Sequence, residues 1–358
     1  MLLFQFFTIV GLIGHAQRRP ALDISNTATG NLALAANTTG RVNTATGSYA
    51  LTSNTTGYLN TATGSSALAG NITGFYNVAT GVSALFENTT GSYNTAAGNY
   101  ALYANRESFN TAVGYAALIN TTASQGNTAV GYNAGSKVDN GYNNIFLGDS
   151  ADASAPNLYN MIVIGKGTVC SVSNRIVMGN PYTKSALAFA SWGLVSDGRF
   201  KKNIRENVPG LDFINKLRPI TYNLNATDLD AFLHRDSGGT VADSTAASAK
   251  TGKGVPAAVA PSDAAKAMKS KALQEKEAIT YTGFVAQEVE VAAKQVGFNF
   301  SGIDAPKDSS DVYGLRYAEF VVPLVKAVQE QQQEIQALRD VNTGLQKQID
   351  ELKALKKK

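Results

Sequence analysis

One phrase returns eight times between Asn26 and Gly148, and a chain that repeats this regularly must stack its copies. An asparagine opens each copy, at Asn26, Asn43, Asn60, Asn77, Asn94, Asn110, Asn127 and Asn144, with successive spacings of 17, 17, 17, 17, 16, 17 and 17 residues. A glycine stands four residues after each, from Gly30 to Gly148, and in the first six copies a leucine stands four beyond that, from Leu34 to Leu118. A second phrase, at Asn37–Gly40, Asn54–Gly57 and Asn88–Gly91, fills the back half of several copies. A fixed short period of this kind is the signature of a solenoid.

The residue types decide which solenoid. Glycine supplies positive-φ turns, and asparagine tolerates them while bonding its own backbone. Threonine, asparagine and glycine disfavour a helical repeat, so each copy is expected to form two short strands and two turns of a parallel β-roll. The apolar content is thin, about one leucine and a few alanines per copy. A buried leucine contributes roughly 1.5–3 kcal/mol, less than ordering the rest of the coil costs in backbone entropy. Packing against identical neighbours would bury a second face, so the expected assembly is a homotrimer. Only eight charged residues lie from Asp23 to Asp149, too scattered for catalysis. The sequons within the array, such as Asn37-Thr38-Thr39, are turn chemistry recurring with the repeat. The repeat tyrosines, among them Tyr49, Tyr58 and Tyr93, are read first as packing and second as contacts for a surface glycan or a host or matrix ligand.

The array resembles the head domains of bacterial trimeric autotransporter adhesins. Asn144-Ile145-Phe146-Leu147-Gly148, Met161-Ile162-Val163-Ile164-Gly165 and Arg175-Ile176-Val177-Met178-Gly179 come closest to their Asn-x-x-x-Gly grammar.

Composition narrows the function further. A net charge of +4 without a basic stripe argues against nucleic-acid binding. The single cysteine, Cys170, excludes an intrachain disulfide framework and a cysteine zinc cluster, and the two histidines, His15 and His234, leave no basis for a histidine triad or metal site. No cofactor or metal is expected. Residues 1–16, an apolar run ending in Gly14 and Ala16, read as a signal peptide too short to span a bilayer comfortably. Its removal would leave no stable membrane span in a protein secreted or held at a bacterial cell surface.

The composition changes abruptly at Ser196-Asp197-Gly198-Arg199-Phe200-Lys201-Lys202-Asn203-Ile204. This block continues into Gly210–Tyr222, and two others follow, Gly283-Phe284-Val285-Ala286-Gln287-Glu288-Val289 and Tyr317–Glu330. In this order, behind a repetitive β fibre and ahead of a heptad helix, the three resemble the intramolecular chaperone of endosialidases and phage tail spikes, the peptidase S74 family. The resemblance implies autoproteolysis, with Ser196 as nucleophile, Lys201 as general base and Val195 and Asp197 flanking the cut. Arg199, Lys202, Gln287 and Glu288 belong to the supporting motif. The chemistry is sound in principle. A serine hydroxyl needs a base to take its proton, and a lysine becomes one when burial or nearby positive charge, such as Arg199 and Lys202, disfavours its ammonium.

Residues 226–278 interrupt the resemblance with an Ala/Ser/Lys/Thr-rich stretch expected to be a disordered or loosely helical insertion. Gly252-Lys253 lacks the strand and glycine that a phosphate-binding loop needs. From 321 to 358 a heptad runs with Val321, Val328, Ile335, Asn342 and Ile349 at a and Leu324, Gln331, Leu338, Leu345 and Leu352 at d.

The expected architecture is therefore mainly β. A signal peptide (1–16) precedes a trimeric parallel β-roll or β-solenoid (17–195), a small α+β chaperone domain (196–320, with the insertion inside it) and a trimeric coiled coil (321–358). The leading functional expectation is a surface fibre or adhesin-like protein whose C-terminal domain templates trimer assembly and releases itself at Ser196. A structural or adhesive trimer that never cuts itself is the alternative. An enzyme acting on an external polysaccharide is disfavoured, because the array holds no paired carboxylates or clustered histidines.

Overall fold

The computed structural model describes residues 26–185, 195–234, 263–309 and 311–356. The expected signal peptide lies outside them. The chain forms two compact units, one of residues up to Thr183 together with Ala226–Gln274, the other of Lys184–Asn225 together with Glu275 to the C-terminus.

The first unit is a β-solenoid. Its main sheet is wholly parallel and ten-stranded, and its strands follow chain order: β1 (Thr27–Thr29), β2 (Thr44–Thr46), β3 (Thr61–Thr63), β4 (Val78–Thr80), β5 (Thr95–Ala97), β6 (Thr111–Val113), β7 (Thr128–Val130), β8 (Ile145–Leu147), β10 (Ile162–Ile164) and β12 (Ile176–Met178). Register is in step with the repeat, so Thr44 pairs with Thr61 and Ala45 with Ala62. Even the sixteen-residue copy keeps register, with Thr95 on Thr111. Its missing residue comes out of the turn between Asn105 and Asn110, where Asn94 and Asn105 both donate to the carbonyl of Glu107.

Two asparagine ladders run along the roll. Asn60 donates from its backbone N–H (3.0 Å) and its side-chain amide (3.1 Å) to Oδ1 of Asn43, and the same amide reaches the carbonyl of Gly74 at 2.8 Å. Asn77 repeats this on Asn60 and Gly91. The second ladder links Asn37, Asn54, Asn71, Asn88 and Asn105 through amide-to-carbonyl side-chain bonds of 2.7–3.2 Å. These asparagines are almost all fully buried, so each must satisfy its polar atoms inside the roll. The glycines stack as well. A Cβ on Gly64, whose φ is +136°, would stand 2.4 Å from the carbonyl oxygen of Gly81, so only glycine admits the next coil.

The core is as thin as expected, two alanines and a leucine per coil, such as Ala45, Ala50 and Leu51, all with no exposure. Two expectations need correction. Most coils carry one strand rather than two, and among the described residues the second strand returns only in β9 (Asp152–Ala153) and β11 (Val169–Cys170), which pair in parallel. The asparagines that open the copies are not the positive-φ residues. The repeat glycines are, as at Gly47 (φ 135°), together with non-glycine residues that include Leu34, Leu51, Leu68, Leu85, Leu102 and Leu118 at φ 50–54° and Tyr49, Tyr76 and Tyr93 at φ 54–60°. These left-handed leucines, each preceded by an alanine, break extended geometry on that side, and the coils join there through bonds such as Leu51 N–H to Ala67 O at 3.0 Å. The left-handed region costs a non-glycine residue about 1–2 kcal/mol, which complete burial of Leu51, Leu68, Leu85, Leu102 and Leu118 offsets.

The insertion is helical where it is described, as α2 (Ala226–His234) and α3 (Asp263–Glu277). Residues 235–262, with the Gly252-Lys253 stretch, lie outside the described part.

The second unit has its own core of Phe213, Val289, Ala292, Ala293, Phe300 and Phe320. Phe213 comes from the short helix α1 (Leu211–Ile214), and Val289, Ala292 and Ala293 from α4 (Ala286–Gln295). An antiparallel pair, β13 (Ile220–Asn223) on β14 (Thr280–Gly283), and a smaller pair, β15 (Ile303–Asp304) on β16 (Gly314–Leu315), complete it. The long helix α5 (Val321–Lys356) is continuous over the heptad region. Its first turns pack on α1, where Glu330 accepts the N–H of Leu211 at 2.8 Å.

Candidate functional site: the Ser196–Lys201 turn

Ser196 and Lys201 are brought together by a single 3-10 turn over Gly198–Phe200. Asp197 opens it by accepting the N–H of Arg199 at 2.9 Å, and Lys201 closes it by donating its backbone N–H to the carbonyl of Gly198. A side-chain oxygen at this position satisfies an otherwise orphan N–H. The turn places Lys201 Nζ 2.8 Å from Ser196 Oγ, with lysine as donor. The pair expected from the sequence therefore meets within hydrogen-bond reach.

The charges around it are arranged differently from expectation. Arg199 was expected to lend positive charge to Lys201, but its guanidinium clasps Asp197 through Nε (2.9 Å) and Nη2 (2.5 Å). That contact holds the Asp197 carboxyl below the usual range, and much of the arginine's charge is spent locally. Lys202 is exposed.

In the single chain Ser196 and Lys201 are also exposed. With Arg199 paired to Asp197, removal of water is the remaining way to favour an accepting amine over a donating ammonium. Apolar surface suited to that lies alongside: Val195, Phe200 and Ile204 are 91%, 75% and 76% exposed. Such residues are costly to leave in water, and covering them would enclose the dyad.

Gln287 and Glu288 serve elsewhere. Glu288 forms a two-pronged ion pair with Arg218, at 2.5 and 3.0 Å, which ties the first block of the resemblance to the second. Gln287 lines an open groove of about 630 Å³ with Tyr222, Phe284, Tyr313 and Tyr317. No contact among the described residues joins either to the dyad.

The repeat tyrosines form ladders. Tyr76, Tyr93 and Phe109 stack in series at 5.2 and 5.3 Å, Tyr58 stacks on Phe75 at 4.9 Å, and Arg41 lies over Tyr58. The rings cover one another in part, and Tyr76, Tyr93 and Phe109 stay 47%, 48% and 58% exposed.

Sequence reasoning passed over His234. Its ring reaches the carbonyl of Gly167 in the solenoid at 3.0 Å, and its neighbour one helical turn back, Asp230, pairs with Lys269. The Asp-x-x-x-His spacing on a helix was the available signal.

No helix among the described residues is long and apolar enough to cross a membrane. No curated protein and no solved structure matches the chain. Residues 196–244 match the family described as chaperone of endosialidase, peptidase S74, and the match begins at Ser196 itself. The segment that matches the chaperone-of-endosialidase family thus begins with the serine held by Lys201, and it follows a β-solenoid.

Proposed function

We propose that this protein is a secreted or cell-surface homotrimeric fibre whose C-terminal region aligns three chains and then cuts itself free at Ser196. The observation that carries the reading is the 2.8 Å contact between Lys201 Nζ and Ser196 Oγ at the start of the matched segment. Once assembly buries the dyad, Lys201 takes the Oγ proton as Oγ attacks the carbonyl carbon of Val195. The Val195–Ser196 C–N bond breaks, and the proton passes to the departing amine of Ser196. The resulting ester joins Val195 to Ser196 Oγ. Water then hydrolyses it to the Val195 carboxylate and the free hydroxyl.

Two exposed faces support self-association. The outward residues of the main sheet pass from threonine in β2 to Ile145 and Leu147, then to Ile176 and Met178, the last two 58% and 59% exposed. On α5, Val328, Leu338, Leu345 and Leu352 are each at least 50% exposed, at the spacing through which heptad helices pair. Identical short coils also invite slipped register, which a helix of fixed register would prevent.

The non-cutting trimer stays as the second reading because Arg199 is already paired with Asp197 and gives Lys201 little help. A disrupted heptad tests the coupling. Leu338→Asp with Leu345→Asp is expected to give single chains that remain whole. Scission at the wild-type rate in those single chains would overturn an assembly-gated cut.

A further inference from the structure

The insertion inside the chaperone-like region packs with the solenoid rather than with the unit that flanks it. It leaves from β13 and returns at β14, where the side-chain amide of Asn223 donates to the carbonyl of Ile279 at 3.0 Å and closes its neck. Helix α2 ends at His234, whose Nε2 lies 3.0 Å from the carbonyl of Gly167 in the last coils. The other ring nitrogen lies 2.7 Å from the backbone carbonyl of Asp230 and fixes the ring. Asp230 is buried, and Lys269 of α3 reaches its carboxylate at 2.5 Å, so both helices share one anchor. Tyr182, just past the final strand, lies within electrostatic reach of Asp230, Lys269 and Lys166, and burial pushes its hydroxyl pKa up. Solenoids need something to cover their terminal coil. Here the strand order of the main sheet ends at β12 and that of the second sheet at β11, which begins two residues after Gly167.

This placement has a topological consequence. The bond before Ser196 lies between the solenoid and the insertion that covers it, so a cut there leaves the two on different fragments. We infer that helices α2 and α3 form a clasp on the last coils of the solenoid, anchored by His234 on Gly167 and by the Asp230–Lys269 pair, which keeps the C-terminal fragment bound to the fibre after the chain is severed. Severing the bond and releasing the fragment are then separate events. The inference deepens the proposed function, and its occurrence in the native protein rests on that cut.

The test does not need the cut. A site-specific protease sequence is placed between Ser185 and Val195 in a full-length Ser196→Ala chain, and the nicked protein is run on a non-denaturing sizing column. The two fragments are expected to co-elute. With His234→Ala and Lys269→Glu together they are expected to separate, with at least tenfold faster amide exchange over residues 161–179 and unchanged protection in the coils from Ala45 to Ala117. Those distant coils report whether the variant folds. Should they lose protection, Lys269→Glu is paired instead with Asp230→Lys, which restores the ion pair in reverse and is expected to restore co-elution. Immediate separation of fragments that carry the unaltered insertion overturns the clasp. So does equal retention and equal exchange in the anchor variant. A wild-type chain that never cuts itself contradicts the proposed function and leaves both readouts intact.

Discussion

Phe146 occupies the space that Gly135 leaves empty. At the position where six earlier coils carry a leucine, five of them fully buried, the seventh has Gly135, and one strand later Phe146 replaces the alanine that earlier coils carry. A Cβ on Gly135 would stand 2.8 Å from Cδ2 of both Phe146 and Leu118. The two changes are a single exchange of volume between neighbouring layers of the core. Phe146→Ala is expected to destabilise the solenoid by about 3–5 kcal/mol. Adding Gly135→Leu rebuilds the standard coil, because Gly135 has φ +64° and the earlier leucines hold 50–54°. The double variant is expected to recover at least half the loss in thermal unfolding. Additive losses would contradict the exchange.

The asparagine ladder makes a sharper demand. Asn77 has no exposure, donates to Asn60 Oδ1 and Gly91 O, and accepts the N–H of Asn94. Asn77→Ala leaves the Gly91 carbonyl and the Asn94 N–H without this partner inside the roll, at about 1–3 kcal/mol for each buried group. A loss of roughly 2–5 kcal/mol is expected, against less than about 0.5 kcal/mol for Thr63→Ala on the exposed strand face. Chemical denaturation of the two variants side by side checks this.

Asp152 gives the solenoid a pH dependence of unusual sign. Burial pushes its carboxyl up from 3.8 to about 6, although the Ala153 N–H, the Ser136 hydroxyl and the Lys137 backbone and charge pull it down. A raised folded-state pKa means that the native state binds the proton more tightly than the unfolded chain. The contribution is complete below about pH 4 and is lost as pH rises through 6, amounting to at most about 3 kcal/mol. Asp152→Asn is expected to remove it, so the stability difference between wild type and variant should shift in favour of wild type on going from pH 7.5 to pH 4.5. A pH-independent difference would contradict the assignment.

How much of this was legible in the sequence follows from how local each cause is. The period, the stacked glycines and the alanine and leucine core are repeated letters with one physical meaning, and they read directly. The left-handed leucines did not, because propensity assigns that region to glycine and asparagine, whereas stacking imposes it on Leu51 and its counterparts. The second strand was over-read for the same reason. Ser196 and Lys201 are five residues apart, so one turn decides whether they meet. The pairing of Arg199 with Asp197 is equally local, but whether Arg199 serves Lys201 or the neighbouring acid depends on its side-chain direction, which residue spacing does not encode. His234 lies 67 residues from Gly167, and no local pattern announces such a contact.

If the cut leaves the fibre without its template, the fibre should be trapped kinetically. The severed assembly is expected to stay trimeric in cold SDS, whereas a Ser196→Ala chain that is unfolded and returned to native conditions should reassemble. Ready dissociation of the severed fibre in cold SDS would count against the trap.

The most direct test of the central claim is the denatured mass of the assembled full-length protein beside Ser196→Ala. The account predicts two masses for the wild type, an array fragment ending at Val195 and a C-terminal fragment beginning at Ser196, and one mass for the variant. A wild type that stays whole while fully assembled, or a variant cut at the same bond, would contradict it.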